Sequence, residues 1–140
     1  MAQSTEILPN GLQLLQDDRF FKLGQDSVLL SAFAKPRRNA KLLDLGCGTG
    51  ALALLVWRPD LKITGLELQD GPLDLFRQSI AANELENVTA LQGDLRQMRT
   101  LLPHGSMDYV ICNPPYFDRN AGANAPTAEK RTARPVSYKH

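Results

Sequence analysis

Four short apolar runs recur along the chain, each closed by a polar residue or the residue after it: Lys41-Leu-Leu-Asp44, Lys62-Ile-Thr-Gly-Leu-Glu67-Leu, Asn87-Val-Thr-Ala-Leu-Gln-Gly-Asp94 and Met107-Asp-Tyr-Val-Ile-Cys-Asn113. Their lengths and residue types are those of strands. Helical segments lie between them. Ala51-Leu-Ala-Leu-Leu-Val-Trp57 has the composition of a buried helix. Asp70-Gly71-Pro72 opens a second helix, in which Leu73, Phe76 and Ile80 share one face while Asp74, Arg77 and Gln78 lie off it. Strands alternating with helices predict an α/β fold. Ahead of this core, Gly11-Leu-Gln-Leu-Leu-Gln16 and Arg19-Phe-Phe-Lys-Leu23 are expected to pair as a hairpin through Asp17-Asp18. A helix from Ser27 to Ala34 follows, capped by Asp26.

The strand ends carry the chemistry. Asp44-Leu-Gly46-Cys-Gly48-Thr-Gly50 is a glycine turn between a strand and a helix, where a missing Cβ lets the backbone turn tightly and approach a ligand. The helix beyond it presents unpaired N–H groups suited to a carboxylate. A dinucleotide fingerprint would read G-x-G-x-x-G, but Gly46, Gly48 and Gly50 are each two apart and an acid precedes them. Asp44 is thus placed to bind a ligand ammonium; the alternative is a turn cap beside glycines that only permit close packing. Glu67, near the end of the second strand, can accept both hydroxyls of a ribose, or be a solvated strand-end charge. Asp94 ends the third strand, where an acid beside a backbone amide can read an adenine amino edge; it serves equally as the N-cap of the segment from Leu95 to Met98.

The fourth strand stops at Asn113-Pro114-Pro115-Tyr116, because two prolines forbid continuation of either a ladder or a helix. The Asn113 side-chain oxygen and the Pro114 carbonyl can converge on one substrate NH₂, leaving the nitrogen lone pair free for an electrophile. Tyr116 offers a face for an unpaired base, a contact worth about 1–3 kcal/mol.

On these two motifs the chain resembles the class I S-adenosylmethionine-dependent methyltransferases of the small, Asn-Pro-Pro-Tyr type, and within them it is most similar to the bacterial enzymes that methylate N6 of adenine 37 in a valine tRNA. The resemblance runs from about Gly11 to Phe117 and includes Phe20-Phe-Lys-Leu-Gly24-Gln-Asp26-Ser-Val-Leu-Leu30, which resembles the family segment that folds over the methionine end of the cofactor. It implies a Rossmann-like sheet of order 3-2-1-4. It implies that Gly24, Asp26, Asp44 and the three glycines hold the methionine part, Glu67 and Leu68 the ribose side, Asp94 and the Leu95 amide the adenine, with Asn113, Pro114 and Tyr116 at the target amine and Asn113 also at the cofactor. Asp26 as a cofactor contact and Asp26 as a cap are compatible. The implied reaction is in-line methyl transfer, in which positioning supplies most of the rate. It needs no metal, and the two histidines, His104 and His140, are isolated.

The chain ends where the family sheet is expected to continue. The missing C-terminal strands would leave the fourth strand as an open edge, so a fragment that self-associates, is marginally stable or is completed by material outside this sequence is expected. Residues 1–117 are expected to form the cofactor-binding core and 118–140 a flexible basic tail or substrate loop. That tail holds Arg119, Lys130, Arg131, Arg134 and Lys139 against Asp118 and Glu129, a balance of +3 in a chain of net +1, which fits RNA phosphates or simply a solvated tail.

At 43% hydrophobic and 22% charged, with no run long enough to span a bilayer, the composition is that of a soluble domain. Met1-Ala-Gln-Ser-Thr-Glu6 lacks the blocks of a secretory signal, and Cys47 and Cys112 read as reduced packing residues, which makes the cytoplasm the natural compartment. Three functions stay open: methylation of adenine N6 in tRNA, methylation of a protein glutamine amide, and a cofactor-binding module without activity.

Overall fold

The computed structural model describes residues 3–20, 25–102, 105–112 and 136–139. In chain order the elements are β1 (Gln3–Ile7), β2 (Gln13–Asp17), α1 (Gln25–Phe33), β3 (Lys41–Leu45), α2 (Ala51–Leu55), β4 (Lys62–Glu67), α3 (Asp70–Ala82), β5 (Val88–Gln92), a 3₁₀ turn (Leu95–Gln97), α4 (Met98–Leu101), β6 (Tyr109–Cys112) and β7 (Val136–Lys139). The sheet runs β5-β4-β3-β6-β7. Its first four strands are parallel and keep the expected 3-2-1-4 order.

Burial on both faces explains why these strands are near-continuous apolar runs rather than alternating ones. Leu42, Ile63, Val88 and Ile111 pack with Leu52, Leu54 and Phe76 in one cluster, while Leu43, Leu66 and Val110 anchor a second cluster with Leu91, Leu101 and Met107. Asp44 is one pleat beyond Leu42, and Glu67 one pleat beyond Gly65, whose neighbours are Phe76 and Cys47. Both acids therefore belong to the face carrying the first cluster. The in-register pairs Leu45↔Leu66 and Leu45↔Cys112 make β3, β4 and β6 end level with one another.

Two regions depart from expectation. The hairpin pairs β1 with β2, Gln3↔Asp17 to Ile7↔Gln13, so the partner strand precedes Gln13 instead of following Asp18. The turn is made by Pro9-Asn10-Gly11: Gly11 has φ +89°, its N–H donates to Leu8 O at 2.8 Å, and the Leu12 N–H donates to Asn10 Oδ1 at 3.2 Å. Asn-Gly is a strong turn signal, whereas Asp17 closes a turn onto the Phe20 N–H. The free edge of β2 docks on α3, its Leu15 N–H donating to Ser79 Oγ at 2.9 Å and its Gln13 N–H to Asn83 Oδ1 at 2.8 Å.

The second departure is at the other end. The outer edge of β6 is paired antiparallel with β7, Tyr109↔Lys139 to Cys112↔Val136, within the segment expected to be a flexible tail. An antiparallel strand thus covers the edge that was expected to lie open. The remainder of the 118–140 segment lies outside the described residues. Among the described residues no helix is long and apolar enough to cross a membrane.

Candidate functional site

A cavity of about 450 Å³ opens at the level strand ends, within the size range of small-molecule sites. Asp44, Gly46, Gly48 and Glu67 line it, together with Arg19, Phe20, Ser27, Cys47, Thr49, Gln69 and Pro72.

Asp44 is 1% exposed and its Oδ2 has no hydrogen-bond partner among the described residues. Burial pushes its carboxyl up to about 8; an N–H from Ala53 opposes the shift and the charge of Glu67 adds to it. A buried, half-satisfied carboxylate is costly unless something is meant to meet it. A cation with N–H donors is the complement it lacks.

Glu67 is held by two main-chain groups: Oε1 accepts the Gly48 N–H at 2.8 Å and Oε2 the Gln69 N–H at 2.9 Å. The second strand is thereby stapled to the glycine turn, which is also held by the Cys47 N–H on Leu66 O at 3.0 Å. Each carboxylate oxygen keeps acceptor capacity for a further donor such as a hydroxyl.

Gly48 and Gly50 need their lack of a side chain for different reasons. Gly48 has φ +56° and open space where a Cβ would stand, so its backbone can be approached by a ligand. Gly50, at φ +91°, caps α2, and a Cβ there would strike the Phe76 ring. Gly50 does not line the cavity; it lets α2 and α3 close behind it.

The cavity mouth was not legible as a site beforehand. Arg19 lies over the Phe20 ring, 5.1 Å from guanidinium carbon to centroid, and Phe20 packs on Gly71 at the start of α3. The buried Asp17 carboxylate takes Arg19 Nε at 3.1 Å and Nη2 at 2.9 Å, and this hydrogen bonding holds Asp17 below the usual carboxylate range. The only prior signal was the Phe20–Leu30 stretch carried by the resemblance.

Of the other expected residues, Asp94 and Leu68 do not line the cavity. The Asp94 carboxylate is clasped by Arg96, with Nη2 at 2.7 Å, and accepts the Arg96 N–H at 2.9 Å, so it caps the 3₁₀ turn and does not line the cavity. Leu68 is 60% exposed beside Glu67. Asp26 lies inside the first turn of α1, which begins at Gln25, and Leu95 begins the 3₁₀ turn. Gly24, Asn113, Pro114 and Tyr116 lie outside the described residues. Burial raises the thiol pKa of Cys47, and burial followed by the charge of Asp44 pushes Cys112 up to about 11, so neither is a ready nucleophile.

The model of the methyltransferase small domain matches residues 24–130. The chain is 35% identical over 105 residues to the tRNA1(Val) (adenine(37)-N6)-methyltransferase of Pseudoalteromonas translucida, covering 74% of this chain and 44% of that protein. It is 35% identical over 113 residues to the protein of the same name from a Shewanella species, covering 78% and 46%. The chain therefore spans about half the length of the curated relatives it matches. Among solved structures, the T. thermophilus 16S rRNA N2 methyltransferase in complex with AdoMet and guanosine superposes with a TM-score of 0.68 at 24% identity, over 83% of this chain and 33% of that one. That likeness shows the fold.

Proposed function

The chain belongs to the methyltransferase small-domain family, and from that premise we propose that it is the cofactor-binding part of an S-adenosylmethionine-dependent N-methyltransferase acting on adenine N6 in tRNA. One observation supports the cofactor above the others: Asp44, buried at the strand ends, lines the cavity with an oxygen that no described residue satisfies. An amino-acid ammonium is the donor this oxygen lacks. Glu67 is held ready for the ribose hydroxyls by two main-chain N–H groups, and the open backbone at Gly46 and Gly48 lets the ligand lie against the turn.

When bound, the cofactor supplies a methyl group made electrophilic by its sulfonium. The protein's part is placement. Asn113 and the Pro114 carbonyl accept the two hydrogens of the substrate NH₂ and orient its lone pair, and Tyr116 stacks on the base. The strand that leads to them ends level with the Asp44 tip, as its Cys112↔Leu45 pairing requires. No covalent intermediate is involved; holding nitrogen and methyl in line is the catalysis. The names of the relatives support tRNA as the substrate, and with that substrate a cytoplasmic protein is our reading.

Incubating the protein with S-adenosylmethionine and bulk tRNA that lacks the modification, followed by nucleoside analysis, tests the reading. N6-methyladenosine is the expected product, and Tyr116→Ala should sharply reduce it while S-adenosylhomocysteine still binds. Methyl incorporation into a glutamine-bearing peptide, with RNA inert, would transfer the activity to a protein amide.

A further inference from the structure

At the end of the sheet opposite the cavity, the loop from Lys35 to Lys41 holds four of its seven positions as cations: Lys35, Arg37, Arg38 and Lys41, all exposed. Lys41 opens β3 and is the register partner of Lys62, which opens β4 and is also exposed. Like charges side by side on neighbouring strands destabilise a sheet. The relief is partial: among the described residues Lys35, Arg38, Lys41 and Lys62 have no ion-pair partner, and of the two nearby acids, both already hydrogen-bonded, only Asp108 attracts one of them, Lys41. Asp108 takes Arg37 at 3.3 Å and the Lys41 N–H at 2.9 Å; Asp60 takes Arg58 at 2.8 Å and the Asn39 N–H at 2.8 Å.

The loop is also held in place. Arg58, fixed by Asp60, donates Nη1 to Pro36 O at 2.9 Å and Nη2 to Arg37 O at 3.3 Å. Asn39 adopts φ +62°, and its N–H is on Asp60. Two charged side chains and one left-handed residue thus fix the main chain beneath a row of cations in which, among the described residues, Arg37 alone has an ion-pair partner. A merely solvated loop does not need this.

We propose that this rim, Lys35, Arg38, Lys41 and Lys62 with Arg37, docks the phosphate backbone of the RNA substrate away from the nucleotide being modified. The inference rests on the RNA reading above. A pre-ordered array of cations loses little side-chain and backbone freedom on meeting phosphates, and each cation that neutralises one releases counterions. Such contacts carry no sequence information and set orientation on the substrate.

The test is tRNA binding by the full chain, followed by fluorescence anisotropy across a salt series, for wild type, for Arg38→Gln/Lys62→Gln, and for Arg77→Gln, an exposed cation on α3 outside the rim. S-adenosylhomocysteine titration of each variant reports the cofactor site. The rim variant should bind tRNA more weakly and flatten the slope of log K against log salt by about one per side chain, with unchanged cofactor affinity. Arg77→Gln should leave both the affinity and the slope at wild-type values. Equal losses in the rim and α3 variants, scaled to the charge removed, would reduce the effect to net charge and overturn the proposal. Full tRNA binding by the rim variant would overturn it while leaving the RNA reading intact; wild type that binds the cofactor and no RNA at any salt would overturn both.

Discussion

At the residue scale, Asp44 is the group on which most depends, and it makes two predictions. Its folded carboxyl titrates near 8 against an ordinary value of 3.8, so the folded state holds the proton more tightly than the unfolded chain does. The contribution to stability is therefore complete below about pH 4 and is lost as pH rises through about 8. Thermal melts of the ligand-free protein should fall across that window by more in wild type than in Asp44→Asn, whose amide does not titrate. The ligand's ammonium needs the ionised carboxylate, so cofactor binding should expel a proton and tighten between about pH 6 and 8. Calorimetry in buffers of different ionisation enthalpy detects that proton, and Asn at this position should remove both it and at least about tenfold of the affinity. A binding enthalpy independent of buffer would mean that Asp44 is already ionised. Asp44 and Glu67 could both be picked from the chain because each closes an apolar run. Arg19 and Phe20 could not, since their place at the cavity depends on a turn at Asp17 and on the distant Gly71.

At the scale of elements, the glycine turn and the outer strand each carry a prediction. Gly48→Ala meets no neighbour and bears only the left-handed backbone penalty, about 1–2 kcal/mol. Gly50→Ala bears the same penalty and drives a methyl into Phe76 between α2 and α3, adding about 1–3 kcal/mol of overpacking. Melting should therefore rank Gly50→Ala clearly below Gly48→Ala, by several degrees, whereas ligand titration should be disturbed by Gly48→Ala as well. Equal melting points for the two would deny the packing role of Gly50. In the outer strand, successive N–H groups point to opposite sides, so one of residues 137 and 138 must donate into the ladder with β6. The double substitution Ser137→Pro/Tyr138→Pro should strip β7 from the sheet, bare the edge of β6 and raise the apparent mass in light scattering. An unchanged mass and melt would show that β7 does not protect that edge. The positions of α2, α3 and the four parallel strands followed from their apolar patterns, but β7 did not: Val136-Ser-Tyr-Lys139 is only four residues long in an otherwise polar and basic stretch, too short a pattern to stand out without its neighbour β6.

At the scale of the whole molecule, a cavity at one end of the sheet and a fixed row of cations at the other suggest a division of labour between chemistry and substrate docking. The two should separate in experiment. Raising salt should weaken tRNA binding steeply while S-adenosylhomocysteine affinity stays nearly flat, because the former depends on counterion release and the latter on a buried carboxylate and main-chain N–H groups. Parallel salt dependence of both would argue against it. The chain spans about half of its curated relatives, 44% of one and 46% of another.

The apolar runs and the residues that close them were enough to determine the core strands and the two acids at the ligand end, because strand and helix periods are local and a glycine turn has few other uses; the strand order was carried by the family resemblance alone. The hairpin partner of β2, the strand beside β6, the clasp of Arg96 on Asp94 and the pinned basic loop were decided only by tertiary structure. Each depends on groups distant in the chain or on competition between local partners for one hydrogen bond, and neither leaves a period in the sequence.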